Sequence, residues 1–233
     1  MHAMSPRIIV SYDDTDNDRD ALALGRLLAV AGAELSLAYV RHVREGERTR
    51  EALEQRHAEE LLAHGAEAIG APDAPRHVIV HASTGEGLLE LAEREAADVV
   101  VFGSEYRTAP GAVVPGTSTQ RLLNGGETAV AIAPADMRSH PAVRVASIGV
   151  IADGDAAAEE TASSLASALG ARIGDPDAED VDLLVIGSRE GTPAGRLELS
   201  AVAEYALETS AVPVLAVPRG VAVEFAARAG ATV

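Results

Sequence analysis

The sequence predicts an α/β fold, an open parallel sheet with helices on both faces. Three observations carry this. Short β-branched or apolar runs alternate with amphipathic stretches from Arg7 to Ala133. One run, Asp98-Val-Val-Val-Phe-Gly103, is apolar without alternation, as a strand covered on both faces must be. Glycine or proline stands at many of the changes of period, as at Gly32, Gly70 and Pro134.

Each element follows from its residues. Arg7 to Tyr12 is a β-branched run that ends at an acidic cluster, and predicts the first strand. Asp20 to Ala31 carries Ala21, Leu22, Leu24, Leu27, Leu28 and Ala31 at helical spacing, and Gly32 stops it. Glu34 to Val43 reads as the second strand. Gly46 to Ile69 is a long amphipathic helix rich in Glu and Arg, closed by Gly70-Ala-Pro72. Arg76 to Ala82 is the third strand, and Gly85 to Ala96 a helix entered through Ser83-Thr84. After the fourth strand, 98–103, a Gly/Pro-rich loop covers 104–115. A short helix, Thr117 to Leu123, leads to a fifth strand from Thr128 to Ala133, closed by Pro134. Residues 1–135 form one domain on this reading, and 136–142 a linker.

The pattern then restarts. Arg144 to Ile151 reads as a strand, followed by Asp153-Gly154, and Ala156 to Leu169 as a helix stopped by Gly170. Val181-Asp-Leu-Leu-Val-Ile-Gly187-Ser188 matches 98–104, and Ala211 to Pro218 matches 128–134. Gly103 to Pro134 and Gly187 to Pro218 both span 31 positions, which supports an internal repeat. Asp13 to Gly103 spans 90 positions but Asp153 to Gly187 only 34, so the second copy lacks 56 residues from its middle. The missing part corresponds to the third strand, two helices and most of the second strand, with Arg172-Ile173 as its stub. Residues 143–218 are therefore read as a truncated second copy, and 219–233 as a C-terminal tail that fits neither repeat.

Composition excludes several functions. There is no cysteine, hence no disulfide, zinc–thiolate site or Cys nucleophile. All 19 basic residues are Arg, which excludes Schiff-base lysines and the lysine of a phosphate-binding Walker loop. A net charge of -17 repels nucleic acid over most of the surface, and 3% aromatics give bases little to stack on. No apolar run reaches the ~20 residues of a membrane span. Met1 to Arg7 lacks the apolar core of a signal peptide, so a cytoplasmic location away from membranes is expected.

The chemistry-bearing residues cluster at two strand ends. Val10-Ser-Tyr-Asp13-Asp14-Thr15 closes the first strand. After the fourth, Gly103 is followed by Ser104-Glu105-Tyr106, then nine residues, Arg107 to Pro115, then Gly116-Thr117-Ser118. Together with the repeat, these segments resemble the universal stress protein family in its tandem form. That family shows Val-x-x-Asp-Gly-Ser after its first strand. After its fourth it shows Gly, two residues, Gly, nine residues, Gly, and Ser or Thr. The spacing is kept here, with Tyr106 in place of the second glycine. The resemblance covers 6–135 well and 143–218 partially.

The resemblance implies a flavodoxin- or Rossmann-like five-stranded sheet with strand order 3-2-1-4-5. The crevice then lies between the first and fourth strands, at the carboxyl ends where the order reverses. It also implies an adenine nucleotide there, ATP with or without Mg2+. Asp13, with Tyr12 and Thr15 beside it, is placed to accept from a ribose hydroxyl or an adenine amine. Tyr39-Val40 would flank the base, with Val40 as a contact. Gly103, Tyr106, Gly116, Thr117 and Ser118 would line the phosphates, using free N–H groups at a helix start. Arg107 would neutralise phosphate charge, and the Tyr106 ring would stack on a base or block the pocket. In the second copy Glu190 stands at the second glycine and Ser200-Ala201 replaces Gly-Ser/Thr, so phosphate binding is not expected. The family commonly pairs its fifth strand with that of another copy, which implies pairing of 128–133 with 212–217 as an intramolecular pseudo-dimer. A further homodimer and a protein partner stay open.

Other patterns reduce to plainer readings. Asp14, Asp16 and Asp18 match the first three calcium-loop ligands, but position 19 is Arg where Gly is required and 25 is Gly where Glu is required. The run reads as a solvated turn whose acids favour the following helix dipole, leaving Asp13 to help hold Mg2+ through a nucleotide. His57 and His64 share a helix face with Glu60 between them, yet no further ligand is evident. His42, His77 and His81 read as partly exposed strand-end histidines. Ser11, Ser104, Ser118 and Ser188 lack the nucleophile-elbow context. No nucleophile, general base or metal triad is visible, so a nucleotide-binding regulatory protein is expected, hydrolysing ATP slowly at most. The alternative is an interaction module whose nucleotide site is retired in both halves.

Overall fold

The computed structural model describes residues 5–42, 48–140 and 144–226. The first strands are β1 (Arg7–Ser11), β2 (Glu34–Arg41), β3 (Arg76–Val80), β4 (Val99–Gly103) and β5 (Ala129–Ala133). Helices α1 (Asp16–Val30), α2 (Arg48–Ala68), α3 (Thr84–Glu95) and α4 (Thr117–Leu123) connect them. The remainder contributes β6 (Ser147–Ile151), α5 (Ala156–Leu169), β7 (Arg172–Gly174), β8 (Leu183–Gly187), α6 (Ala201–Thr209) and β9 (Val214–Val217). Among the described residues, nine strands form one sheet in the order β3-β2-β1-β4-β5-β9-β8-β6-β7. Every pairing is parallel except β5 with β9, where Val130 faces Ala216 and Ile132 faces Val214.

Alternation along the strands divides the core by face. Ile8, Val10, Val99 and Val101 point to α1, α2 and α5. Ile9, Val100, Phe102 and Ile132 point to α3, α4 and α6. Right-handed crossovers give this layout: the order reverses after β3, so the helices that follow it lie on the opposite face. The β5–β9 junction is fully covered, with Val130, Ile132, Val214 and Ala216 all essentially inaccessible. Burying each such aliphatic side chain stabilises by about 1.5–3 kcal/mol, so the two halves share one core.

Local chemistry moves several boundaries. Helix α1 starts at Asp16 rather than Asp20, because Thr15 and Asp18 form a reciprocal capping box. Thr15 Oγ1 accepts from the Asp18 N–H at 3.3 Å, and Asp18 Oδ2 accepts from the Thr15 N–H at 3.3 Å. The segment expected as a plain linker folds into a 3-10 turn, Met137–Ser139, pinned to α1 by Asp20. The described part of the tail is built into the core. Val223 donates to Thr161 Oγ1 at 2.9 Å, Ser164 Oγ donates to the Val223 carbonyl at 3.1 Å, and Phe225 is buried. The tail reaches the first half at Gly32, where a β-carbon would lie 1.9 Å from the Ala226 carbonyl oxygen. The expected linker residues 141–142 and the last residues of the tail, 227–233, lie outside the described residues. No helix among the described residues is long and apolar enough to cross a membrane.

Candidate functional site

The carboxyl ends of β1 and β4 meet where the strand order reverses, and the sequence-selected residues lie around that point. Tyr12 is buried, its ring against α2 where Gly65 leaves no room for a side chain. Its hydroxyl donates to Asp14 Oδ1 at 2.7 Å. Burial first, then the Asp14 bond and charge, push the Tyr12 phenol well above its ordinary value. Asp14 is held below the usual carboxylate range by the Tyr12 hydroxyl and the Arg19 guanidinium. It sits in the left-handed region at φ 66°, the conformation that glycine would supply in the family pattern.

Asp13 is exposed. Its N–H donates to Asp18 Oδ2 at 3.1 Å, and its Oδ1 accepts from the Thr15 N–H at 3.3 Å. Burial, then the hydrogen bond and charge of Asp13, push the Asp18 carboxyl up to about 8. Among the described residues, no group of three or more His, Asp or Glu is arranged to hold a metal. His57 and His64 are exposed on α2.

The 104–116 loop is held by its own hydrogen bonds. Ser104 Oγ donates to the Ala133 carbonyl at 2.7 Å and lies 3.2 Å from the Ala112 carbonyl. Glu105 N–H donates to the Val114 carbonyl at 2.7 Å. Left-handed backbone falls on Arg107, at φ 70°, and not on Tyr106. Tyr106 is 70% exposed, with the Arg107 guanidinium 5.2 Å from its ring centre, so its ring does not fill the core of the crevice. Gly116 is the N-cap of α4, with no side-chain cap there, and Thr117 is exposed in the first turn. A β-carbon on Gly116 would lie 2.8 Å from Glu105 Oε2, so a carboxylate rests against this helix start. The Ser118 carbonyl lies beside Gly85 of α3. Two candidates are committed to packing. The space beside Gly103 is taken by the Asn17 carbonyl of α1, and Val40 packs on Gly87 of α3.

The same loop recurs 84 positions later. Ser188 Oγ bonds the Val217 and Arg196 carbonyls, each at 3.0 Å, and Arg189 N–H donates to the Glu198 carbonyl at 2.8 Å. Gly191 has φ 88° where Arg107 has φ 70°. The β6–β8 register repeats that of β1–β4. At the crevice the chemistry differs. Ser200, at the position of Gly116, donates to Asp153 Oδ2 at 2.5 Å, and Asp153 stands at the position of Asp13. Arg219 donates to the Ser188 and Arg189 carbonyls at 3.2 Å each. The second crevice is thus bridged by its own side chains.

A family model described as the universal stress protein family matches residues 4–134, more than half of the chain. The chain belongs to the universal stress protein family. Solved members and relatives reproduce the fold at low identity. A universal stress protein from Archaeoglobus fulgidus aligns with a TM-score of 0.60 and 16% identity, covering 94% of this chain and 100% of that one. A putative universal stress protein from Pseudomonas aeruginosa UCBPP-PA14 aligns at 0.58 and 15%, covering 91% and 93%. A functionally unknown protein from Pseudomonas aeruginosa PAO1 aligns at 0.58 and 14%, covering 92% and 93%. No curated protein matches in sequence. Within the matched segment Tyr106 lies at the surface and Arg107 holds the left-handed backbone.

Two features escaped sequence reasoning. The Glu105 carboxylate against Gly116 depends on a loop path that no local pattern encodes. The Asp153–Ser200 bridge has a faint signal, since both positions follow from the repeat offset.

Proposed function

We propose that the first half of the chain binds one adenine nucleotide, ATP being the reference ligand, and that the second half is a structural partner with a closed site. The two halves form a tandem pseudo-dimer joined through β5 and β9, and the protein acts by binding rather than by turnover. One contrast carries this reading: Ser200 ties up Asp153 in the second crevice, whereas Gly116 has no side chain with which to tie up Asp13 in the first. An exposed carboxylate that no side chain of the facing helix start has tied up, beside an uncapped helix start, suits a nucleotide. Asp13 would take the sugar or base, the N–H groups of Thr117 and Ser118 the phosphates, and Arg107 part of their charge. Mg2+ would offset the remaining charge and that of Glu105.

The test is calorimetric titration of ATP with Mg2+ into the wild-type chain and into Gly116→Ser, which copies the second half. Saturable binding near one site per chain, lost in the variant, is expected. Undiminished binding in Gly116→Ser would overturn the proposed crevice. The Glu105 carboxylate against Gly116 favours a second reading, a retired site in an interaction module. Absence of heat with any adenine nucleotide, with none released on denaturation, would select that reading.

A further inference from the structure

We propose that the outer face of α6 docks a basic amphipathic helix supplied by a protein partner. In the first half, α4 is covered by α3. Gly85 of α3 sits against Ser118 and Arg121, and Glu86 pairs with the Arg121 guanidinium at 3.0 Å. The 84-position offset places α6 where α4 stands, and Val202 and Tyr205 where Ser118 and Arg121 stand. Among the described residues, no counterpart of α3 lies between β7 and β8. Pro176 packs over Gly149 of β6, and Val202 stays 63% and Tyr205 69% exposed.

The substitutions are directional. Two positions that are polar in the first half, where they contact a covering helix, are Val and Tyr in the second, where no such helix lies between β7 and β8. Solvent exposure alone would favour the opposite change. Val202 and Tyr205 are three apart and share one helix face, the spacing by which helix-in-groove recognition sets its anchors. Tyrosine suits that role, with a large rigid apolar body and a polar tip.

Charge selects the occupant. The cover of α4 meets it through one acid–base pair, Glu86 of α3 with Arg121 of α4. In α6 the basic partner is lost and acids are gained: Tyr205 stands at the position of Arg121, Glu204 and Glu208 at those of Gln120 and Asn124, and the helix has no basic residue. A second copy of this chain would bring like charge to like charge, within a total of -17 per chain. A cationic helix with an apolar stripe satisfies both features of the face.

The probe is a fluorescent peptide of about 18 residues with Leu at i, i+3, i+4 spacing and Arg elsewhere. A scrambled peptide of equal composition keeps the charge and loses the stripe. The striped peptide is expected to bind the full chain at least about tenfold more tightly than the scrambled one. The double variant Val202→Ser/Tyr205→Arg restores the residue types of α4 at exposed positions. It should lose that preference while keeping its melting temperature. Equal binding of both peptides, or a preference that survives the double variant, would overturn the proposal. So would sedimentation showing that Val202 and Tyr205 are buried in a self-association that the double variant abolishes.

Discussion

Asp20 is the one acidic side chain of α1 with no access to solvent, and its removal should be costly in a graded way. Its carboxylate is 1% exposed and accepts three bonds of 2.9 Å, from the Asp136 N–H, the Arg138 N–H and the Arg138 guanidinium. Breaking a buried pair by removing one partner typically costs about 3–5 kcal/mol, because the other partner stays desolvated. Here part of that is recovered. Arg138 is 32% exposed and also reaches Asp16, whose carbonyl lies at 3.2 Å and whose carboxylate lies at 3.5 Å. Asp20→Ala is therefore expected to cost about 3 kcal/mol, mostly from the two half-buried amides left without an acceptor. Asp20→Asn keeps one acceptor oxygen but turns a donor toward Arg138, for about 2 kcal/mol. Arg138→Ala leaves both amide bonds and should cost about 1 kcal/mol. Urea unfolding followed by circular dichroism measures all three. At about 2–4 °C per kcal/mol for a chain of this size, Asp20→Ala should melt about 6–12 °C lower. If Arg138→Ala were as damaging as Asp20→Ala, the ion pair and not the amide clamp would hold the turn after β5, and this reasoning would fail.

Three further outcomes follow from other sites. Folding raises the Asp18 carboxyl from its ordinary 3.8 to about 8. Between those values the folded chain holds a proton that the unfolded chain has lost, so this contribution to stability falls as pH rises, by up to ~1.4 kcal/mol per pH unit. Asp18→Asn should flatten the wild-type slope between about pH 5 and 7, read from urea midpoints. A slope unchanged in the variant would mean that Asp18 titrates normally. Phe225→Ala should cost about 3 kcal/mol, since its 5% exposed ring fills the core beside α5. A loss below about 1 kcal/mol would show the described tail to be dispensable. If nucleotide occupies the first crevice, Glu105→Gln should tighten Mg-ATP about fivefold, the ~1 kcal/mol of one nearby surface like charge. Calorimetry showing equal or weaker affinity would remove Glu105 from the phosphate end.

The strands were legible because their signals are local and redundant. The run from Val99 to Phe102 has no polar residue to place on a wet face, so a strand covered on both sides is the consistent answer. Helix α5 matches its expected limits at both ends, because Asp155 caps it and Gly170 adopts the left-handed stop. The start of α1 was misplaced because its first turn is all polar, and only the Thr15–Asp18 pairing shows that it is helical. The turn at 137–139 and the packing of Phe225 escaped because both depend on partners far along the chain, Asp20 and Ser164. At the crevice, Asp13 and Gly116 stood out by motif. Whether Tyr106 or Arg107 would carry left-handed backbone was not encoded in the glycine spacing, and the fold assigns it to Arg107.

The conserved geometry of the two loops has a cause other than a ligand. Val113 N–H donates to the Ser210 carbonyl at 3.2 Å, and Leu197 N–H donates to the Gly126 carbonyl at 2.9 Å. Each of these bonds crosses between the halves, and the two are related by the same 84-position offset. The buried Val113 and Leu197 side chains join one core with Ile132 and Val214 of the central strands. A loop that lost this path would expose the β5–β9 junction, whatever it bound. The second half shows the consequence. Its loop keeps the path and the serine bonds, while Glu190 and Ser200 replace the motif residues and Ser200 closes the crevice. Loop spacing alone is therefore weak evidence for a nucleotide in either half, because the junction demands it. The discriminating positions are those that the junction does not constrain. At these, the first half has an exposed Asp13 and a side-chain-free Gly116, and the second has a carboxylate already bonded to a hydroxyl. Gly116→Ser should therefore abolish any binding in the first half without disturbing the sheet, and Ser200→Gly alone should not create a site in the second, where Glu190 and the shortened second strand still oppose a nucleotide.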